Sequence, residues 1–99
     1  MAADYRVAVS DKIRADVLQI LSEAESYGSS REVEAAMLSL ETRMSTDPSR
    51  FGDPAYRHPS GKGMVFRDMQ DVACAYFLID EEERVVRVTA IRRVSFPGE

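Results

Sequence analysis

The sequence predicts an α+β domain of two layers, in which a helical hairpin packs on a four-stranded, mainly antiparallel sheet in the order strand, helix, helix, strand, strand, strand. Three observations carry this expectation. Residues 11–47 repeat their apolar side chains at helical spacing in two blocks divided at Gly28. Residues 64–94 contain three runs rich in β-branched and aromatic side chains, with short polar breaks between them. Upstream of both, Tyr5, Val7 and Val9 alternate with Arg6, Ala8 and Ser10, the pattern of a half-buried first strand.

The first helix has Ser10 or Asp11 as its N-cap, a stripe of Ile13, Val17, Ile20, Leu21 and Ala24, and Gly28 to end it. Ser29-Ser-Arg-Glu32 offers a capping box for the second helix. Its stripe of Val33, Ala36, Met37, Leu40 and Met44 runs until Asp47-Pro48 stops it. So short a connection lays the two helices antiparallel, and their apolar side reads as core because the sheet needs a cover. Ser49 to Lys62, rich in Pro, Gly and polar residues, reads as an ordered loop that delivers basic side chains to the second strand. The strands that follow are Met64–Met69, Val72–Ile79 and Arg84–Val94. Val72–Ile79 is apolar on both of its alternating faces and is therefore central. The last strand alternates in part, with Val86, Val88 and Ala90 on one face and Arg87, Thr89 and Arg93 on the other. The face without helices is thus expected to carry Arg67, Arg87 and Arg93.

With 99 residues, 44% of them apolar, residues 1–99 suit one domain around one core. The N-terminus carries Asp4 and Arg6 and no sustained apolar region, so it does not read as a signal peptide. The longest apolar run, Val72–Ile79, falls far short of the roughly 18 residues that cross a bilayer. A soluble, cytoplasmic protein without membrane association is expected. Cys74 is the single cysteine; it has no disulfide partner and no metal-ligand set around it, and reads as a small buried apolar residue. No cofactor is expected either, since Gly61-Lys-Gly63 is too short for a phosphate-cradling loop. Net charge is −4, against a general nucleic-acid binder. The charge is nonetheless uneven. Arg50, Arg57, Lys62 and Arg67, with His58, face only Asp53 over that stretch, and Arg92-Arg93 forms a second basic pair. A local positive patch on an acidic protein is one reading; scattered solvated charge is the other.

The element order, together with Tyr76-Phe-Leu-Ile-Asp80, a short acidic turn and Val85-Val-Arg-Val-Thr-Ala-Ile-Arg-Arg93, resembles the RelE/ParE superfamily of bacterial type II toxins. The resemblance spans Tyr5 to Val94. It implies the RelE/ParE-like fold and a small cytoplasmic toxin neutralised by a cognate antitoxin that wraps around it, as in plasmid stabilisation systems. Growth inhibition would come from action on ribosome-bound mRNA in the RelE branch or on DNA gyrase in the ParE branch. A homo-oligomer is left open. Carried over residue by residue, the C-terminal arginine of the RelE branch matches Arg93. The arginine of its third strand falls on Ala73, with Val72 in place of a tyrosine. Its basic second strand falls near Lys62 to Arg67, whose middle, Gly63-Met-Val-Phe66, is uncharged, and its terminal tyrosine or histidine has no counterpart in Val94-Ser-Phe-Pro-Gly-Glu99. Cleavage of RNA by a ribose 2′-hydroxyl needs a proton acceptor, a proton donor and cations on the phosphorane. An altered catalytic set would consist of His58, Lys62, Arg67 and Arg93, with Arg57, Arg87 and Arg92 contacting the target. Three readings stand: a toxin acting by binding, a ribosome-dependent endoribonuclease with an altered site, and a catalytically silent interaction module of the same fold.

Overall fold

The computed structural model describes residues 4–61 and 63–94. The chain runs β1 (Arg6–Ala8), α1 (Asp11–Ser26), α2 (Ser30–Thr46), α3 (Pro48–Phe51), β2 (Asp53–Arg57), β3 (Met64–Gln70), β4 (Ala73–Asp80) and β5 (Val85–Arg93). The sheet order is β1-β5-β4-β3-β2; β1 pairs in parallel with β5, and the other neighbours are antiparallel. The two-layer α+β class is the expected one, with five strands in place of four. The additional strand and a short helix lie in the stretch expected to be loop. Pro48 sits in the first turn of α3, where its missing N–H costs nothing, and Asp53–Arg57 then lies along β3 as an exposed edge.

Both ends of α1 behave as its sequence dictates. Ser10 Oγ accepts from the Ile13 N–H at 3.2 Å. At the other end Gly28 takes a φ of +69°, and the N–H groups of Gly28 and Ser29 donate to Glu25 and Ala24 carbonyls, a Schellman motif that only a residue without Cβ accommodates cheaply. The capping box expected at Ser29 does not form. Ser29 makes no side-chain cap bond; its buried hydroxyl donates to the Tyr27 carbonyl at 3.4 Å, a local backbone acceptor that competes with the cap.

The hairpin covers one face of the sheet, α1 over β5 and α2 over β3, β4 and β1. Phe77 is wholly buried at the centre of this layer, its ring stacked on Phe66 at 6.1 Å between centroids. Val33, Ala36, Leu40 and Met44 of α2 and Ile13, Ile20 and Ala24 of α1 close over it. Ala73 and Ala75 on β4 leave room for the helices to approach. Polar pairs also cross the interface: the Ser39 hydroxyl donates to Gln70 Oε1 at 3.0 Å, and the buried Asp68 carboxylate receives Arg43 Nε at 2.8 Å and Nη2 at 3.0 Å, while the same guanidinium lies over the Phe51 ring at 4.3 Å. This contact ties α2 to β3 and fixes α3 between them. No described helix is long and apolar enough to cross a membrane.

Candidate target-binding face

The face of the sheet opposite the helices follows from register. Phe66, Asp68, Ala75, Phe77, Val86 and Val88 belong to the helix side, so their strand neighbours Val65, Arg67, Met69, Cys74, Tyr76, Leu78 and Arg87 point the other way. On β5 the alternation breaks. Phe77 pairs with Val88 but Tyr76 pairs with Ala90, so Thr89 is an extra residue, a β-bulge whose hydroxyl donates to the Tyr76 carbonyl at 3.2 Å. Every side chain after it changes face. Ile91 joins the core, Arg92 stands opposite Cys74 on the open face, and Arg93 turns to the helix side opposite Ala73.

The expected trio is corrected accordingly. Arg67 and Arg87 do lie exposed on the open face; Arg93 does not, and Arg92 takes its place. Half-buried Arg93 lines an open cavity with Lys12, Asp16, Gln19 and Glu23 of α1, to whose lining Arg92 also contributes. The signal was present in the sequence: apolar residues at Val86, Val88 and Ile91 step by two and then by three, which is what a bulge writes into a strand.

Of the candidate catalytic set, the described residues His58 and Arg93 are not brought together. His58 follows β2 in the hairpin turn, where its Nδ1 accepts the Ser60 N–H at 3.1 Å and lies 2.7 Å from the Ser60 hydroxyl. Arg93 is level with Ala73 at the start of β4, whereas the His58 turn lies past Met64, level with the end of β4. Six residues at about 3.3 Å each put them roughly 20 Å apart along the strands. Lys62 lies outside the described residues. Arg57 ends β2 opposite Met64, exposed and on the other side of its strand from Tyr56.

What the open face does gather is an aromatic and cationic cluster around Cys74. Arg67 is the direct cross-strand neighbour of Tyr76, and Arg92 that of Cys74. Burial, with the charge of Asp68, pushes the Cys74 thiol up, while a hydrogen bond with Tyr76 and the charges of Arg67 and Arg92 pull the other way. Since burial wins, the thiol stays protonated at neutral pH and is no nucleophile. Tyr56, from the strand that sequence reasoning took for loop, adds a second ring: its centroid is 6.4 Å from that of Tyr76, at 39°. As β2 and β4 flank β3, the two rings meet across β3 over Val65, which is fully buried. Asp53 and Asp80 are the carboxylates that register places on this face among the described residues. Among those residues no three His, Cys, Asp or Glu side chains converge as a metal site requires.

No protein-family model matches the sequence, and no curated protein does. Among solved structures the chain is similar to a chain in the crystal structure of the toxin–antitoxin complex RelBE2 from Mycobacterium tuberculosis, at 18% sequence identity over 93% of each chain, with a TM-score of 0.70. The fold expected from the RelE/ParE resemblance is the one observed.

Proposed function

We propose that this chain is the toxin of a toxin–antitoxin pair, and that it inhibits growth by occupying its target through the open face of the sheet. The observation that carries the reading is the coincidence of two things: a backbone that follows a toxin–antitoxin structure over 93% of its length, and exposed Arg67, Arg87 and Arg92 on the one sheet face that no helix covers. Binding is favoured over cutting by the side chains of that face. Beside the arginines stand tyrosines and a protonated thiol, and His58 lies in a remote turn. Of the two targets the resemblance implies, ribosome-bound mRNA suits a surface of arginines and exposed aromatic rings better than gyrase does.

The antitoxin has a separate place to bind. An apolar groove of about 470 Å³ opens between the helices and the β1–β5 edge, lined by Val7, Val17, Leu18, Met37, Val88 and Ile91, with Leu18 67% exposed. An apolar segment of an antitoxin would be buried there beside Arg14 and Glu41, without touching Arg67, Arg87 or Arg92.

The test is induction of the full chain in a bacterial host, with growth and protein synthesis followed. Wild type should arrest growth, and Arg67→Ala combined with Arg92→Ala should abolish the arrest without unfolding the protein, whereas Arg93→Ala should leave arrest in place. A wild type that never slows growth defeats the toxin reading; a double variant as toxic as wild type defeats the assignment of the surface.

A further inference from the structure

Resting on the assignment of the open face as the target-binding surface, we infer that Tyr56 and Tyr76 form a stacking step for one unpaired nucleobase of a single-stranded RNA, with Arg67 beside it on the adjacent phosphate. The inference starts from the edge strand. Asp53–Arg57 is exposed along its whole length, yet its bulge between Pro54 and Tyr56 turns Tyr56 onto the open face opposite Val65. A tyrosine that served only to cover Val65 would be buried with it. Tyr56 is instead 48% exposed, while Val65 beneath is fully buried, so one side of the ring rests on the sheet and the other is presented to solvent.

The neighbours decide what would occupy that side. Arg67 is paired with Tyr76 on one strand and with Asp53 on the other, so the guanidinium rises next to the two rings; Arg92 lies one position further on, across Cys74, and Arg87 beyond Leu78 in the opposite direction. Aromatic rings flanked by cations at strand spacing suit a chain of bases and phosphates. The step is about the width of the two rings and lies on a flat sheet, so it takes a base whose π-face is free; a duplex keeps its bases stacked inside and offers only phosphates. Asp53 and Asp80, at the rim, weigh against a long phosphate track and confine the recognition to a short segment centred on Arg67.

The experiment is a fluorescence-polarisation titration of the full chain with a labelled single-stranded RNA of ten nucleotides, the same RNA with abasic positions, and its duplex. Wild type should bind the intact single strand best, and the abasic strand and the duplex roughly ten- to hundredfold more weakly. Tyr56→Ala and Tyr76→Ala should each lose about tenfold on the intact strand but little on the abasic one, and Tyr56→Phe and Tyr76→Phe, which keep the rings, should bind as wild type. Arg67→Ala should weaken every ligand and flatten the salt dependence. The abasic arm uses the unaltered protein, so it stands even if an alanine variant fails to fold. Equal affinity for intact and abasic strands, alanine variants that bind as wild type, or no binding of the single strand at all would each overturn the step. Growth arrest is scored independently. Arrest that needs Arg67 and Arg92 but not the rings removes the stacking step and leaves the toxin reading, and stacking without arrest does the reverse.

Discussion

Replacing Arg43 by Ala should be among the most damaging single changes in this protein, and the reason lies in what it leaves behind. Asp68 is 3% exposed and its two oxygens are both engaged by Arg43, at 2.8 and 3.0 Å. Removing the guanidinium strands a buried carboxylate, which costs about 3–5 kcal/mol when one member of a buried pair is lost. Because the Arg43 side chain is 28% exposed, water can reach the vacated site, and the lower end of that range applies. Loss of the contact with Phe51 at 4.3 Å adds about 0.5–1 kcal/mol. For a domain of this size a loss of about 3 kcal/mol lowers the melting temperature by roughly 12 °C or more. The chain has no tryptophan, so urea unfolding followed by circular dichroism at the helix band is the suitable assay. The double change Arg43→Met with Asp68→Leu removes both charges and restores apolar packing, and should recover most of the loss. An Arg43→Ala variant within about 1 kcal/mol of wild type, or a double variant no better than the single one, would refute the claim that the stranded carboxylate sets the cost.

Three further outcomes follow from the packing and hydrogen bonding of the chain. Gly52→Ala should destabilise by about 1–3 kcal/mol, measured by thermal melting, because a Cβ there would lie 2.7 Å from Phe77 Cζ and 3.0 Å from the Pro48 carbonyl although the φ of −91° is ordinary. Tyr5 donates its hydroxyl to Glu81, and that hydrogen bond, with burial and the Glu81 charge, raises the phenol above its usual 10.0 against the opposing pull of Arg84. With the folded pKa above the unfolded one, the stabilisation is fully present below pH 10 and is lost as the pH rises through the folded value. Ultraviolet titration of wild type minus Tyr5→Phe should therefore show a phenol transition above 10, moved back toward 10 by Glu81→Gln; a Tyr5 transition at or below 10 in wild type contradicts the assignment. Cys74 should react with a thiol reagent at pH 8 only as fast as the chain opens, and rapid reaction of the folded protein would show that burial does not control the thiol.

The sequence was most legible where side-chain period and burial agree. The stripes of α1 and α2, the stop at Gly28 and the central place of β4 all follow from patterns of 3.6 and 2 that the packed layer enforces. It was least legible where one residue breaks a period. Thr89 shifts the end of β5 by one position, and with it the face on which Arg92 and Arg93 stand, because register inverts every later side chain. β2 escaped for a different reason. Asp53-Pro-Ala-Tyr-Arg57 has little β propensity and no buried residue; it is a strand because β3 offers a free edge, a tertiary cause that local composition does not express. The capping box at Ser29 failed for a third, since the Gly28 turn brings the Tyr27 carbonyl within reach of the same hydroxyl.

The bulge also resolves an apparent conflict between an acidic protein and a cationic working surface. Both helices are rich in carboxylates, with Asp11, Asp16, Glu23, Glu25, Glu32, Glu34 and Glu41 against Lys12, Arg14, Arg31 and Arg43, and they occupy one side of the sheet. Were β5 regular, Arg93 would stand on the open face and Arg92 would turn toward the carboxylates of α1. With Thr89 inserted the register exchanges the pair: Arg93 falls on the helix side, at the cavity with Asp16 and Glu23 to which Arg92 also contributes, and Arg92 falls on the side of Arg67. On the proposed reading the two adjacent arginines have different electrostatic tasks, Arg93 on the chain's own acidic layer and Arg92 on an outside ligand. A net charge of −4 is then compatible with an anionic target, because field and contact at the binding surface depend on which side of the sheet a charge occupies more than on the total. Raising salt should therefore weaken target binding by wild type more than by Arg92→Ala, while Arg93→Ala keeps the wild-type salt slope. The reverse pattern would mean that the face of the sheet, and with it the bulge, had no part in recognition.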